Sequence, residues 1–248
     1  EGRSYTFSLD HKDQIQTLIQ DEQVSPFMFF LSVFKVLLSK YSGQTDVVVG
    51  SPIANRHYKE IEGLLGFFVN TLALRSYVDK DLSFKEFLHE IKRHTLEAYQ
   101  HQDIPFEQLV DHLEISRELN RNPVFQVMFT YDQRSSQETY GFEGIETEGY
   151  GKEYPISKFD LSLHVHEGER GYEIGINYAT DLFEEETIQR IGESFSAVIE
   201  DILKNRDKTL GEIEALPLKE KEKVLVEWNR TEVAYPKDKT IHQLFEEQ

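Results

Sequence analysis

The pattern of apolar and polar residues predicts strands and helices that alternate along most of the chain. Residues 5–9 alternate between the two classes, which is typical of a short strand with one buried face. Apolar residues then recur at helical spacing, and we expect Asp10 to cap that helix. Ser25 followed by Pro26 predicts the start of a second helix, because proline suits the first helical position.

The second predicted helix, residues 27–41, is apolar on nearly every side, so several neighbours must bury it. We expect Gly43 to end it. The uniformly apolar run at residues 47–49 predicts a strand covered on both faces, and residues 69–74 predict another. Strands that alternate with helices favour an α/β domain built around a central sheet.

The pattern continues through the second half of the chain. Ser83 and Glu86 have the spacing of a capping box, which predicts a helix that runs to about Gln100. Pro105 suits the start of a further helix. The remaining predicted elements are a strand at residues 124–131, a long polar segment at 132–158, a hairpin of strands at 159–167 and 172–178, and a helix at 184–204.

Charge and composition exclude several classes of function. The 248 residues carry a formal net charge of −18, which disfavours nucleic acid and anionic membrane surfaces as partners. The absence of cysteine excludes disulfides, thiolate metal sites and cysteine nucleophiles. No apolar run reaches the ~20 residues of a membrane-spanning helix, so we expect a cytoplasmic protein. The chain begins at Glu1 without methionine, and we expect it to be a piece of a longer polypeptide.

Changes in composition along the sequence also predict the domain organisation. We expect one α/β unit over residues 1–213, because the sequence changes character beyond Gly211. Residues 214–232 are typical of a charged linker with one short helix. Residues 233–248 are expected to start a further unit that the chain does not complete.

Polar side chains cluster beside two of the predicted strands. They are Asn55, Arg56, Asn70, Thr71 and Arg75. A buried amide or guanidinium is costly without a partner, so each of them needs hydrogen bonds. Two interpretations remain open at this point. These residues either cap strand ends and form turns, or they line and brace a site.

Histidines offer two further candidates. His164 and His166 share one face of a predicted strand and could hold a metal, although the sequence offers no third ligand. His101 and Asp103 could form an acid–base couple, but the spacing favours Asp103 as the cap of the helix that Pro105 opens. Spacing alone therefore predicts neither a catalytic centre nor a metal site.

Several motifs, taken together, resemble one family. The chain carries Leu-Gly-Phe-Phe-Val-Asn-Thr-Leu-Ala-Leu-Arg at 65–75, His-Gln-Asp-Ile-Pro-Phe-Glu at 101–107, Arg-Glu-Leu-Asn-Arg-Asn-Pro-Val at 117–124, Gly-Ser-Pro-Ile-Ala-Asn-Arg at 50–56 and Lys-Phe-Asp-Leu at 158–161. In this order, they resemble the C-terminal half of the condensation domain of nonribosomal peptide synthetases. The tail resembles the linker and first residues of an adenylation domain, through Glu-Trp-Asn-Arg-Thr at 227–231 and the segment 240–248.

The resemblance implies a fold and a reaction. The fold is one lobe similar to chloramphenicol acetyltransferase, a central mixed β-sheet with packed helices, and it forms half of a two-lobed domain with the active site between the lobes. The family joins an upstream acyl or peptidyl group to the amine of a downstream aminoacyl group. Both groups are thioesters of the phosphopantetheine that carrier domains present. No cofactor is therefore expected to bind this chain directly. The implied partners are the upstream and downstream peptidyl carrier domains, the N-terminal lobe and the adjacent adenylation domain.

The reacting histidine of the family lies in a His-His-x-x-x-Asp-Gly motif of the N-terminal lobe. This chain contains no two adjacent histidines, so we expect it to be inactive alone. The resemblance implies that Arg56 pairs with the aspartate of that motif across the lobe boundary. Without that carboxylate, the chain is expected to be weakened at Arg56, because a buried unpaired charge is costly.

The resemblance also assigns roles to the other candidates. Interlobe support is implied for Asn55, Asn70, Thr71 and Arg75, and positions in the tunnel or its motifs for His101, Asp103 and Arg121. The segment 132–158 is expected to contain a latch that reaches the other lobe. Residues 57–63 are expected near the tunnel floor.

Two other functions remain open. One is a free-standing acyltransferase that uses coenzyme A on the same fold, which would need its own histidine motif. The adenylation-like tail favours a modular synthetase instead. The other is a non-catalytic domain that docks carriers, or an epimerization-related domain. The sequence Phe-Val-Asn-Thr at 68–71 favours a condensation domain over an epimerization domain.

Overall fold

The computed structural model describes residues 1–56, 58–115, 121–133, 156–169, 171–234 and 237–248. Three sequence predictions therefore lie partly or wholly outside the described residues: the first half of the motif at 117–124, most of the latch at 132–158, and His57 at the start of the tunnel-floor segment. The described chain divides into two compact units, Glu1–Ala215 and Leu216–Gln248.

In the described part of the first unit, six strands form one sheet in the order β1-β6-β5-β4-β2-β3. Strand β4 runs parallel to β2 and to β5, and the other neighbours are antiparallel. The predicted mixed sheet is thus confirmed. The strands are β1 Gly2–Leu9, β2 Asp46–Ile53, β3 Asn70–Tyr77, β4 Val127–Gln133, β5 Leu161–Glu167 and β6 Tyr172–Ala179.

The first unit contains six described helices. They are α1 Lys12–Glu22, α2 Pro26–Ser42, α3 Lys59–Glu62, α4 Phe84–Gln100, α5 Phe106–His112 and α6 Glu185–Lys204. Of these, α2, α4, α5 and α6 pack against the sheet. Helix α2 contacts β2 and β4 and also packs on α1, α4 and α6, while α6 contacts β1 and β6. The hydrophobic core therefore lies between the sheet and these helices.

Helix α2 forms where the sequence predicts it. The hydroxyl of Ser25 accepts a hydrogen bond from the N–H of Met28 at 3.2 Å, and Pro26 occupies the first turn. Gly43 ends the helix with a φ of 70°, a left-handed conformation that favours glycine. Phe30 and Phe34 are fully buried, as expected for a helix with apolar residues on all sides.

Of two further predicted helix caps, one is present and one is not. The capping box of Ser83 and Glu86 is present, with the Ser83 N–H donating to the Glu86 carboxylate at 2.8 Å. The prediction that Asp10 caps α1 is wrong, because His11 occupies the cap position and makes no side-chain cap bond. The backbone carbonyl of Asp10 instead accepts from the N–H of Lys12 at 2.9 Å.

Strands β2 and β4 are joined at a single residue pair among the described residues, Gly50 with Met128. By contrast, β4 and β5 pair along their whole length, from Val127–Leu161 to Gln133–Glu167. The ring of Phe125 lies directly over Gly50, where a Cβ atom would come within 2.1 Å of it. Glycine is required there because the ring approaches the backbone so closely.

The second unit contains α7 Leu218–Glu222, a short π-helical segment Lys223–Glu227 and α8 Ile241–Glu246. Thr240 and Gln243 form a capping box at the start of α8. Across both units, no described helix is by itself long and apolar enough to cross a membrane, although α1 and α2, bent by 102°, pass such a test as a pair by length and composition only.

Candidate functional site

A cavity of about 340 Å³ lies at the carboxyl end of β2, beyond the point where β2 and β4 stop pairing. Crevices outside the carboxyl ends of parallel strands are the usual ligand sites of open α/β sheets. The lining mixes apolar side chains with hydroxyl groups, so the cavity can hold an organic group and orient it. The lining residues are Phe27, Ser51, Pro52, Ile53, Leu72, Tyr99, Thr130 and Tyr131.

Asn70 begins β3 beside this cavity, opposite Ile53 of β2. Its side-chain amide donates to the backbone carbonyls of Gln102 and Ile104, both at 2.8 Å. Its carbonyl oxygen accepts from the N–H of Phe106 at 3.1 Å and of Thr71 at 2.9 Å. Every hydrogen-bonding position of the amide is used. Asn70 therefore fixes the turn between α4 and α5 against the start of β3.

Arg56 follows β2 and is half-buried. Its guanidinium donates to the carbonyl of Ile61 and to that of Glu62, the latter at 3.1 Å, and lies 4.2 Å from the ring centroid of Phe68. Carbonyl dipoles and an aromatic face therefore contact the guanidinium in this chain, at the position where the resemblance implies a carboxylate of the other lobe. Asn55 has a φ of 52°, a left-handed conformation that asparagine adopts more readily than most residues.

Arg75 and Thr71 lie on β3. The guanidinium of Arg75 forms a two-pronged pair with Asp46 of β2 at 2.9 and 2.7 Å, and this bonding lowers the pKa of the Asp46 carboxyl. Both side chains of this pair are largely exposed, which limits its contribution to stability. Thr71 is half-buried opposite Pro52, next to the cavity.

The segment from His101 to Pro105 connects α4 to α5. His101 occupies the position just after α4. The prediction that Asp103 caps α5 is wrong, because Pro105 takes the cap position and no side chain caps this helix. Asp103 lies in the turn that Asn70 holds. Arg121 is exposed and does not line the cavity.

Sequence reasoning missed the polar partners of His164 and His166. The ring Nδ1 of His164 lies 2.6 Å from the hydroxyl of Thr130, and Nδ1 of His166 bonds to Asp132. Burial lowers the pKa of His164. No group of three potential metal ligands occurs among the described residues. The period-two spacing shared by β4 and β5 is the sequence signal for these pairs, but it requires knowledge that the two strands are parallel neighbours.

Tyr131 connects the cavity to the core. Its hydroxyl donates to Glu167, which also accepts from Lys12 at 3.0 Å and from Gln16 at 3.3 Å. Burial and then the bond to Glu167 raise the pKa of the Tyr131 phenol, so the hydroxyl stays protonated and remains a donor. The rear wall of the cavity is therefore rigidly hydrogen-bonded.

The described lining of this cavity includes no carboxylate, histidine or lysine. Hydroxyl groups and aromatic faces can bind and position a substrate, but general-base catalysis near neutral pH needs a group that accepts a proton there. The arrangement is that of a binding wall. A proton acceptor would have to come from outside this lining.

Comparison with known proteins identifies the class. The family profile described as Condensation domain matches residues 1–225. The chain therefore belongs to the condensation domain family, as its motifs predicted.

Its relatives are peptide synthetases. The chain is 44% identical over 250 residues to tyrocidine synthase 3 of Brevibacillus parabrevis and 39% identical over 250 residues to gramicidin S synthase 2 of Brevibacillus brevis. These alignments cover all of this chain but only 4% and 6% of the relatives, so the chain spans a small part of their length.

Solved structures confirm the predicted fold class. A four domain nonribosomal peptide synthetase bound to AMP and glycine matches 89% of this chain and 18% of its own, with a TM-score of 0.79 and 22% identity. The condensation domain from Monacolin K polyketide synthase matches 85% of this chain and 49% of its own, with a TM-score of 0.73 and 21% identity. At such identities the likeness shows the fold alone.

Proposed function

We propose that this chain is the C-terminal lobe of a condensation domain and forms one wall of the cleft in which a peptide bond is made. The observation that carries the proposal is the family match to residues 1–225 in a chain that spans 49% of a solved condensation domain. Such a chain supplies about half of the domain. The rest of the domain, the N-terminal lobe, supplies the histidine motif that this sequence lacks.

In the proposed reaction, the amine of a carrier-bound aminoacyl thioester attacks the carbonyl carbon of a carrier-bound acyl or peptidyl thioester. A C–N bond forms and the C–S bond breaks. The amine loses a proton, and the departing phosphopantetheine thiolate takes one up. Positioning of the two thioesters supplies much of the rate, with a proton acceptor and polar donors near the tetrahedral oxygen. The cavity between β2 and β4 is suited to hold and orient one of these thioesters.

An apolar loop supports the placement of the missing lobe. Leu65 and Phe67 are 103% and 95% exposed, and Leu64 and Val69 are more than half exposed. Contiguous apolar side chains that face solvent mark an interaction surface. The ring of Phe68, in the same loop, lies under the guanidinium of Arg56. We assign the loop and Arg56 to the boundary with the N-terminal lobe.

The remaining predicted residues take supporting roles in this proposal. Asn70 and Thr71 hold the strand end and turn beside the cleft, and Asn55 shapes the chain reversal before Arg56. His101 and Asp103 belong to the turn that Asn70 fixes, and Arg75 supports the outer strand through Asp46. The peptidyl carriers and an adenylation domain are the partners, with residues 214–232 as the linker and residues 233–248 as the start of the latter.

Reconstitution tests the proposal. This chain, the N-terminal half of its domain, and both together are each incubated with two carriers, one loaded with an acyl or aminoacyl donor and one with an aminoacyl acceptor. Mass spectrometry of the carriers should find the condensed thioester only where both halves are present. Product from this chain alone would contradict the proposal, as would no product from the intact domain with its histidine motif in place.

A further inference from the structure

Tyr131 of β4 lines the cavity at the carboxyl end of β2 and is half-buried. Two contacts hold its side chain. The hydroxyl donates a hydrogen bond to the carboxylate of Glu167 in β5, and the buried ring of Phe30 stacks on the phenol with centroids 6.3 Å apart. Glu167 is not part of the described lining, so the hydroxyl is bonded away from the cavity. The ring is therefore what Tyr131 offers to a ligand.

Glu167 is itself held in place by helix α1. It lies at the end of β5 and is 7% exposed. Its carboxylate pairs with the ammonium of Lys12 at 3.0 Å and accepts from the amide of Gln16 at 3.3 Å, one helical turn further on. Lys12 also donates to the backbone carbonyl of Gly168 at 2.6 Å. A chain of bonds thus runs from α1 through Glu167 to the phenol of Tyr131.

The protonation states of the two partners favour this bond. Burial raises the pKa of the Glu167 carboxyl, but the bonds from Tyr131 and Lys12 outweigh it and the pKa is lowered. Glu167 is consequently a carboxylate at neutral pH and can only accept. A hydrogen bond to an ionised group is stronger than one between neutral groups, and a buried carboxylate that loses a donor is costly. The bond therefore favours one position of the Tyr131 ring.

We propose that Glu167 is a positioning residue that sets, through Tyr131, the size of the substrate side chain that the cleft cavity accepts. The inference rests on the proposed function, in which this cavity holds one of the two thioesters. The cavity has a volume of about 340 Å³, and Phe27, Leu72 and Tyr99 are also among its lining. Such a lining takes the apolar side chain of an aminoacyl or acyl group.

The physical reason is that a phenol bonded at its far end cannot swing aside for a longer side chain. Without the bond, the Tyr131 ring can turn about its side-chain torsions and change the shape of the cavity. In an apolar pocket, one methylene of substrate already changes kcat/KM by about tenfold or more. The position of one ring in the wall is therefore expected to decide between substrates that differ by a few carbon atoms.

Discrimination between two substrates tests the inference on the intact domain, with this chain and its N-terminal half together. One carrier is loaded with alanine or with leucine while the thioester on the other carrier is kept constant, and the arrangement is then reversed. Glu167→Leu removes the acceptor and keeps a side chain of similar size. It should change the leucyl-to-alanyl ratio of kcat/KM by about fivefold or more for one of the two thioesters, mainly through KM. An unchanged ratio for both thioesters would overturn the inference.

Two further variants show whether Glu167 acts through Tyr131. Tyr131→Phe removes the same bond from the other side and should shift the ratio in the same direction. The double variant should then show no more than the larger single effect, because both substitutions remove one interaction. Glu167→Gln keeps an oxygen that accepts from the phenol and should restore the ratio of the natural domain. Additive effects in the double variant, or no recovery with Glu167→Gln, would refute positioning through Tyr131.

Lys208→Met separates positioning from stability. It removes a half-buried ion pair with Asp201 at 2.7 Å, and neither residue is in the described lining of the cavity. Urea denaturation should show a loss of stability for Lys208→Met and for Glu167→Leu, but the ratio should change only in Glu167→Leu. An equal change of the ratio in both would refute the inference. If the natural domain makes no condensed product, the proposed function itself fails; if it makes product and Glu167→Leu keeps the ratio, this inference alone fails.

Discussion

The side-chain amide of Asn70 donates a hydrogen bond of 2.8 Å to the backbone carbonyl of Ile104. Asn70 starts β3 and Ile104 lies in the turn between α4 and α5, so this bond joins two sequence motifs through one side chain. The turn carries no helix cap of its own, since Pro105 makes no side-chain cap bond. Asn70 therefore supplements the turn's own backbone bonds, such as that from the Ile104 N–H to the His101 carbonyl at 3.3 Å.

We expect Asn70→Ala to loosen this turn. The substitution leaves the carbonyls of Gln102 and Ile104 and the N–H of Phe106 without their partner. Two of these groups belong to half-buried residues, so the lost bonds should lower the unfolding free energy by about 1–3 kcal/mol. Urea denaturation measures that loss, and amide hydrogen exchange should show faster exchange of the Phe106 N–H.

Asn70→Asp is the matched control for this prediction, because it keeps the acceptor oxygen and removes the two donors. The Phe106 N–H should then stay protected while stability still falls. Unchanged protection of Phe106 in Asn70→Ala would show that the turn is held by other contacts.

Gly50→Ala should destabilise the sheet at its narrowest junction. The new Cβ would lie 2.1 Å from the Phe125 ring, which itself stacks on Phe159 and contacts Phe106. Overpacking of this kind costs about 1–3 kcal/mol. Thermal denaturation should show the loss, and Phe125→Leu in the Gly50→Ala background should recover part of it. If the double variant is no more stable than Gly50→Ala alone, the ring is not the cause.

Lys35 should make stability depend on pH between about 7 and 9. Burial lowers its pKa to about 7 in the folded chain from an ordinary value of 10.5, so the unfolded chain binds more protons in this range. Stability therefore rises with pH, by at most about 1.4 kcal/mol per unit, and falls as the pH drops towards 7. Above pH 10 the raised pKa values of Tyr131 and Tyr172 act in the opposite direction, since the folded chain then holds more protons.

Urea denaturation at pH 7, 8 and 9 checks this expectation. Lys35→Met should abolish most of the rise, and the variant should be more stable than the natural chain at pH 7, because no charge is then buried. Lys59→Met removes an exposed lysine and should keep the rise. The same slope in Lys35→Met as in the natural chain would assign the pH dependence to another group.

Arg56→Ala should have unequal effects on the lone chain and on the assembled domain. In the lone chain, the guanidinium is half-buried and binds two carbonyls and a ring, so its removal should cost about 1 kcal/mol or less. If Arg56 pairs with an aspartate of the other lobe, the intact domain should lose at least tenfold in condensation rate. Arg75→Ala is the control, since Asp46 already pairs with it at the exposed edge. Equal effects of the two substitutions on the domain would refute the boundary role of Arg56.

The helices could be predicted from the sequence because their signals are local. The cap at Ser25, the stop at Gly43 and the Ser83–Glu86 box each depend on residues within one or two turns, and all three are present. The predicted cap at Asp10 is wrong by one residue. The cap position is occupied by His11, whose side chain makes no cap bond and therefore gives no capping signal in the sequence. A shift of one residue at a helix end is common, because the first and last turns fray.

The strands and the site depended on partners that are distant in sequence. The apolar run predicts a strand at residues 47–49 only, and Pro52 is not typical of a strand interior. Strand β2 nevertheless continues to Ile53, because β3 pairs with it residue for residue. The sequence marked Asn70 as a residue that needs partners, but not that the turn at Gln102–Phe106 provides them. The apolar pattern of α2 indicates a helix with several neighbours, but it does not predict that the lysine at position 35 is buried, because that depends on α4 and β3.

The single pair between Gly50 and Met128 has a mechanical consequence. Among the described residues, one backbone pair connects the β3-β2 ribbon to the other four strands of the sheet, so side-chain packing must hold the two parts together. Helix α2 packs on both β2 and β4 and therefore couples the two parts of the sheet through its side chains. The relative motion of the two parts is consequently governed by how tightly one apolar helix fits across their junction.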